Sequence, residues 1–296
     1  MVLAAYLGGT APLLALGGIT PLRFVALSLH VCAVPALLRL ASRRQQGVDG
    51  RFERVLVDWA PLILVPVLYG ELPLLMEGLA GTVQYHDPAI ARLELAIFGA
   101  QPAFQWAGKW PSRPLSEFLH ACYASYYVLI YLPPLLLYLG MTGPEPRLGR
   151  STDAFQDTVL ALQISFLICF LVFVFFPVQG PRYLGVPQGV PDGPVRRLVL
   201  GMLEVGSSRG AAFPSSHVAV ATTQFVMVLQ YQRRLGPLVL GISLGLAAGA
   251  VYGGFHYAVD VLAGVAVGTL AVPLAGALRR RLEPSSSGFT SPPGAS

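Results

Sequence analysis

Apolar residues fill long blocks of this 296-residue chain, and charged, glycine and proline residues cut in between them at short intervals. A helix needs roughly 17 to 25 apolar residues to cross about 30 Å of hydrocarbon. The interruptions leave seven blocks of that kind, at 21–41, 55–79, 115–140, 156–177, 213–232, 236–254 and 257–278. A spanning segment must satisfy its own backbone or close into a barrel, and no part of the chain alternates apolar and polar residues as barrel strands do. The pattern therefore predicts an all-α polytopic membrane protein. Residues 1–20 are uncharged and rich in Gly and Pro, without the basic start and clear cleavage site of a secretory signal. They are expected to lie at the interface or to insert halfway. At the other end, "PSSSGFTSPPGAS" (284–296) is too polar to bury a core and is expected to be disordered. Three regions follow: an N-terminal membrane segment with a basic loop (1–54), a transmembrane domain (55–282) and a tail (283–296).

Composition agrees, with 54% hydrophobic and 12% charged residues, outside the range of soluble domains. Charge adds an orientation. Arg43, Arg44, Arg51, Arg54, Arg147, Arg150, Arg233, Arg234, Arg279, Arg280 and Arg281 crowd one alternate set of loops, whereas 80–114 and 178–212 are poorer in basic residues for their length. Because Lys and Arg in short loops collect on the cytoplasmic side, the N-terminus is expected outside and the C-terminus inside. The net charge of +5 follows from that bias. Arginines scattered over loops at membrane level give no reason to expect a nucleic-acid partner. Cys32, Cys122 and Cys169 fall inside blocks without metal-like spacing and read as small apolar residues.

Ionisable groups at the rim of membrane helices are costly, so their positions carry the functional signal. Three stretches hold them: "PVQGPRYLG" (177–185) with Arg182, "AFPSSHVA" (212–219) with His217, and "VYGGFHYAVDVLAG" (251–264) with His256 and Asp260. If residues 256 onward are helical, His256 and Asp260 share a face four residues apart. A carboxylate there keeps one imidazole nitrogen protonated and leaves the other lone pair free, as a nucleophile or general base requires. The same spacing also serves a purely structural hydrogen bond. Helix rise brings in the second histidine. From His217 the fifth block runs about fifteen residues, roughly 23 Å, to the basic turn "QRRLGP", and the sixth returns ~27 Å from Gly236 to Gly254. His217 and His256 are thus expected at one depth, and Arg182, just past the fourth block, at the same level.

Such a set suits a phosphate ester. Ser215 and Ser216 open a helix, where a serine caps and where free N–H groups and the dipole attract an anion. Arg182 adds a fixed charge with a fork shaped for phosphoryl oxygens. A histidine held by a carboxylate, a second histidine as acid and an anion clamp complete the parts for phosphoryl transfer. No carboxylate cluster suited to magnesium is visible, since Asp192 and Glu204 stand apart.

These residues make the chain resemble the type 2 phosphatidic acid phosphatase superfamily, and more closely its inositolphosphotransferase branch, which includes inositol phosphorylceramide synthases. Pro214, Ser215, Ser216 and His217 match the second motif, Pro-Ser-x-His. His256 and Asp260 match the end of the third, His-x-x-x-Asp, and Arg182 in "GPRY" matches the arginine of the first. "ARLELAIFGAQP" (91–102) is similar to the segment preceding the core in that branch. The resemblance implies a six-helix bundle, here with an extra N-terminal span. It implies that His256 attacks phosphorus with Asp260 orienting it, and that His217 protonates the leaving alcohol and later deprotonates the acceptor. Arg182 and the amides near Ser215 would stabilise the oxygens, with no metal and no cofactor required. The substrates would be membrane lipids, with a phospholipid donor and water or a lipid hydroxyl as acceptor, handled at the outer face.

Two positions depart from the phosphatase pattern: a lysine of the first motif falls on Phe175 and an arginine of the third on Ala250. Fewer fixed cations suit a phosphodiester of about −1 better than a monoester of about −1.5 to −2. The expectation is therefore a phosphotransferase moving a headgroup between lipids through a phosphohistidine. Lys109 or Arg209 could replace the missing charges, which keeps a lipid phosphate or polyprenyl diphosphate phosphatase open. A proton-coupled transporter would use His256 and Asp260 as a relay but leaves the level shared by Arg182 and His217 without a purpose. Tyr183, Tyr252 and Tyr257 adjoin the motifs and are candidate headgroup contacts, although tyrosine is common at membrane interfaces. Glu71 and Glu77 could line a lipid cavity, yet Pro73 beside them predicts a break near the outer interface, and the two acids read as structural.

Overall fold

A backbone surrounded by hydrocarbon must bond within its own segment, and the chain does so by coiling. The computed structural model describes residues 1–18, 20–46, 50–142, 151–185 and 189–282. Arg147, Arg150 and the tail from 283 lie outside the described residues. The helices are α1 (Val2–Leu16), α2 (Pro21–Gln45), α3 (Arg51–Ile63), α4 (Val65–Gly70), α5 (Leu72–Ala80), α6 (Asp87–Phe98), α7 (Pro102–Lys109) and α8 (Arg113–Ala124). They continue with α9 (Tyr126–Tyr138), α10 (Ser151–Phe175), α11 (Pro181–Leu184), α12 (Pro194–Gly206), α13 (Ser216–Tyr231), α14 (Gly236–Tyr252) and α15 (Ala258–Leu282). Among the described residues the sole extended pairing is one bridge between Val178 and Ala211.

Pro21–Arg43, Asp153–Phe175, Arg233–Tyr252 and Ala258–Leu282 are each long and apolar enough to cross a membrane. Among the described residues the candidate spans number up to six if each of two bent pairs counts as one. The first pair, Arg51–Gly70 with Leu72–Ala80, bends by 51°. Its prolines, Pro61, Pro66 and Pro73, withdraw donors from the helical ladder there. The second, Arg113–Ala124 with Tyr126–Tyr138, bends by 46° at Ser125. The Ser125 hydroxyl donates to the Cys122 carbonyl and so competes with the backbone. These pairs occupy the expected 55–79 and 115–140 blocks.

The block expected at 213–232 is a shorter helix. Ser215 accepts the Val218 N–H and starts α13 at Ser216, which leaves 16 residues, about 24 Å. It packs on α9, α10, α14 and α15, so its length is not set by the bilayer. Small residues seat it against α15. A Cβ on Gly264 would lie 2.6 Å from the Ser215 carbonyl oxygen, and one on Gly268 would lie 2.3 Å from that of Ala219. This spacing of four brings two backbones into contact where hydrophobic driving force between helices is weak.

Residues 2–16, expected to lie at the interface or to insert halfway, form a helix with Leu3, Tyr6, Leu7, Thr10 and Leu14 buried, packed on α2 and α5. Two polar pairs fasten α2 to the bent α4–α5 segment. His30 Nε2 lies 3.0 Å from Glu71 Oε2 while its Nδ1 lies 3.1 Å from the Leu7 carbonyl oxygen. The Arg23 guanidinium donates to Glu77 at 3.2 Å.

Candidate active site

Three connecting segments meet where α10 and α14 end and α13 and α15 begin. Backbone bonds tie them together. The Val178 N–H donates to the Gly210 carbonyl and the Ala212 N–H to the Val178 carbonyl, both at 3.0 Å. The Ser215 N–H donates to the Asp260 carbonyl at 3.0 Å. Gly180 sits at φ +90°, and a Cβ there would come within 3.0 Å of the Ala212 Cβ and 3.1 Å of the Phe255 oxygen. Only glycine suits that turn, which delivers Arg182 one residue into α11.

His256 lies outside the helix. The shared helical face of His256 and Asp260 had the condition that residues 256 onward be helical, and α15 begins at Ala258, next to the expected start at 257. Asp260 folds back instead, its Oδ2 accepting the Tyr257 N–H at 2.8 Å, so a carboxylate caps the amides at the helix start. The same oxygen lies 3.4 Å from His256 Nδ1, and the Ala212 carbonyl oxygen is closer, at 2.9 Å. Both neighbours of Nδ1 are acceptors, so Nδ1 carries a proton and the neutral ring has its lone pair on Nε2.

The His217 ring centroid lies 5.8 Å from that of His256. Tyr123 stacks on it at 4.6 Å with the planes 18° apart, and Tyr126 covers it at 4.1 Å. His217 Nδ1 is buried without a hydrogen-bond partner. Arg182 donates to Ser207 Oγ at 2.9 Å, and the Tyr183 hydroxyl lies 2.8 Å from the same oxygen. The Arg182 and Arg209 guanidinium carbons sit 5.5 and 5.1 Å from the Tyr183 ring centroid.

Arg182, Tyr183, His217 and His256 line one cavity of about 40 Å³, together with Tyr69, Tyr123, Gln179, Ser207 and Ser208. Its Ser208 hydroxyl is buried and unpartnered. A larger cavity of about 410 Å³ adjoins it, sharing Tyr69, Leu203, Ser207, Ser208 and His217. Val65, Pro66, Ile130 and Phe166 give the larger cavity an apolar wall. The remaining candidates lie elsewhere. Ser216 lines the large cavity, and the Ser215 hydroxyl serves as the α13 cap and lines neither. Tyr252 turns away, donating to the Trp110 carbonyl at 2.8 Å. Tyr257 donates to Asp87 at 3.3 Å and faces a third cavity beyond Gln179. Phe175 is exposed and Ala250 fully buried, and neither lines the small cavity. Lys109 lies against Trp110.

Several partners of these residues escaped the sequence reading. Tyr123 and Tyr126 look like ordinary apolar positions of a span. Asp87 and Glu94, on the short helix α6, are buried carboxylates aimed at the backbone of the other segments. The signal for them was acids seven apart on a largely apolar helix. Among the described residues no three or more His, Cys, Asp or Glu side chains gather closely enough to hold a metal ion.

A family model described as the PAP2 superfamily matches residues 89–274, which include Arg182, His217, His256 and Asp260. Comparison with curated proteins and with solved structures returned no match.

Proposed function

Since this chain belongs to the PAP2 superfamily, we propose that it is a membrane lipid phosphotransferase of the inositolphosphotransferase kind, which moves a phosphate-linked headgroup between lipids through a phosphohistidine. The observation that carries the reading is the pair of neighbouring cavities that share lining residues. The one of about 40 Å³ has room for a phosphoryl group between Arg182, His217 and His256, and the one of about 410 Å³ has the walls for a lipid chain. Arg182 is the one fixed cation lining the small cavity among the described residues. A single guanidinium balances a phosphodiester of about −1 rather than a monoester nearer −2. The crowding of arginines in one set of loops supports a site on the outer face, with the C-terminus in the cytoplasm.

The chemistry needs no group beyond these side chains. His256 Nε2 attacks phosphorus, the bond to the leaving lipid alcohol breaks, and His217 gives that oxygen its proton. The headgroup phosphate then rests on Nε2, while Nδ1–H holds the Ala212 carbonyl and Asp260 balances the imidazolium. A lipid hydroxyl next gives its proton to His217 and attacks phosphorus, and the N–P bond breaks. Arg182, the Tyr183 hydroxyl and Ser208 face the oxygens on which charge builds.

Arg209, beside Tyr183, is the observation that favours a second reading, a lipid phosphate phosphatase in which a second cation neutralises a monoester. Vesicles holding equal amounts of headgroup-labelled phosphodiester lipids and labelled phosphatidic acid separate the two. The proposal expects labelled headgroup to appear on a second lipid, with little inorganic phosphate. Release of phosphate from phosphatidic acid without headgroup exchange would overturn it in favour of the second reading.

A further inference from the structure

Two carboxylates outside the catalytic set hold the backbones on which that set is mounted. Asp87 begins α6 and is buried. Its Oδ2 accepts the Gln179 N–H and its Oδ1 the Gly180 N–H, each at 2.9 Å, and the Tyr257 hydroxyl donates to Oδ1 at 3.3 Å. Gln179 and Gly180 directly precede the turn carrying Arg182, and Tyr257 directly follows His256. One carboxylate therefore bridges the anion-binding segment and the histidine segment. Seven residues on, Glu94 is fully buried and its Oε1 accepts the Ala258 N–H at 2.6 Å. Ala258 is the first residue of α15, and Asp260 caps the neighbouring amide of Tyr257. Two turns of helix separate the two acids by about 10.5 Å along one face.

Neither acid lines the small cavity, so neither touches a phosphoryl group bound there. Their reach is through the backbone. A buried polar group is expensive unless it is bonded, and here Asp87 accepts two N–H groups and Glu94 accepts one through Oε1, its Oε2 having no partner among the described residues. These bonds to segments far away in sequence fix how those segments sit relative to one another. His86 reinforces the seam, its N–H donating to the Pro177 carbonyl at 2.9 Å and its ring stacking on Phe176 at 4.2 Å.

We propose that Asp87 and Glu94 are positioning residues, α6 acting as a brace that sets the Arg182 segment against the His256 segment. The catalytic part rests on the phosphotransferase reading, and the brace itself does not. The two acids differ in what they position. Asp87 governs where Arg182 lies, which affects substrate binding first. Glu94 governs the start of α15 and hence His256 with its Asp260 partner, which affects the chemical step.

The test uses the purified full-length protein in lipid nanodiscs, with Asp87→Asn, Asp87→Ala, Glu94→Gln and Glu94→Ala. Hydrogen exchange needs no substrate. Exchange should rise at 177–185 in both Asp87 variants, because an amide can accept only one of the two N–H bonds, and at 256–261 in Glu94→Ala. Glu94→Gln, which keeps an acceptor oxygen, should restore wild-type protection. Unchanged exchange in the alanine variants would overturn the brace whatever the protein catalyses. Headgroup transfer between labelled phosphodiester lipids supplies the second readout. Asp87→Asn should raise KM about tenfold with a smaller change in kcat, while Glu94→Ala should lower kcat about tenfold at similar KM and Glu94→Gln should recover it. Equal losses in all four variants that track a lower Tm would mean a merely structural role and would sink the positioning claim. A wild type that transfers no headgroup would defeat the phosphotransferase reading, and exchange alone would then decide the brace.

Discussion

A buried imidazole whose Nδ1 has no partner is an expense that a folded protein does not normally carry, and His217 carries it between Tyr123 and Tyr126. The two rings hold it facing the small cavity without supplying a bond that would fix its proton, as a group that gives and takes a proton requires. Tyr126→Leu should lower turnover about tenfold by loosening the ring, with His256 untouched. His217→Ala should slow both formation and breakdown of the covalent species by roughly 10²- to 10⁴-fold, and His256→Ala should abolish the species altogether. Rapid-quench kinetics on labelled lipid separates these outcomes, and an unaltered rate in either histidine variant would remove that residue from the mechanism.

Glu94 makes a prediction of stability at the same scale. Burial pushes its carboxyl up from 4.5 to about 7, the Ala258 N–H opposing and Asp260 adding to the rise. The folded protein thus holds a proton that the unfolded chain releases near 4.5. Stability from this group is greatest at low pH and falls as pH rises through about 4.5 to 7, by an amount on the order of 3 kcal/mol. Glu94→Gln removes the titration but keeps the acceptor. Melting curves of wild type and variant should therefore diverge between pH 5 and 7.5, with the wild type losing more as pH rises. Parallel curves would contradict the shift.

At the scale of elements, α13 and α15 set the distance between the two halves of the site, because His217 opens one and Asp260 opens the other. Gly264 and Gly268 permit their backbones to touch. Gly268→Val should cost about 1–3 kcal/mol or more from overpacking and lower activity by spreading the helices. Gly241→Ala, in open surroundings on α14, should change neither. Thermal melts and headgroup transfer check both. The long apolar blocks made most of these helices legible in the sequence, since a bilayer imposes one length on every span. Pro73 beside Glu71 made the break between α4 and α5 legible as well, whereas the bend at Ser125 was not, because it depends on a local contest between a hydroxyl and the ladder. The 16 residues of α13 were overcounted for a related reason: Phe213 and Pro214 are as apolar as a span requires, and only the Ser215 cap excludes them.

For the whole molecule, the two ends of the bundle are fastened differently. At the end away from the small cavity, Arg279 pairs with Asp153 at 3.2 Å and also with Asp157, to which Tyr231 donates. At the site end, cohesion comes from backbone bonds between segments and from the acids of α6. That contrast sets how much of the site could be read in advance. Helix rise alone leads from His217 to the level of His256, because a polar residue at each end of an apolar hairpin has its depth fixed by counting. Asp87 and Glu94 could not be found by counting, since what they bond are N–H groups that carry no sequence signature. The same holds for Ala212, whose carbonyl, closer than Asp260, holds His256 Nδ1. The measurement that bears most directly on the whole account is acid-stable or base-stable label on the protein after brief mixing with phosphate-labelled phosphodiester lipid. The account predicts an acid-labile, base-stable label on His256 that chases onto a lipid alcohol in wild type, forms and decays far more slowly in His217→Ala and is absent from His256→Ala. Headgroup transfer at wild-type rate by His256→Ala, with no label on the protein, would contradict it.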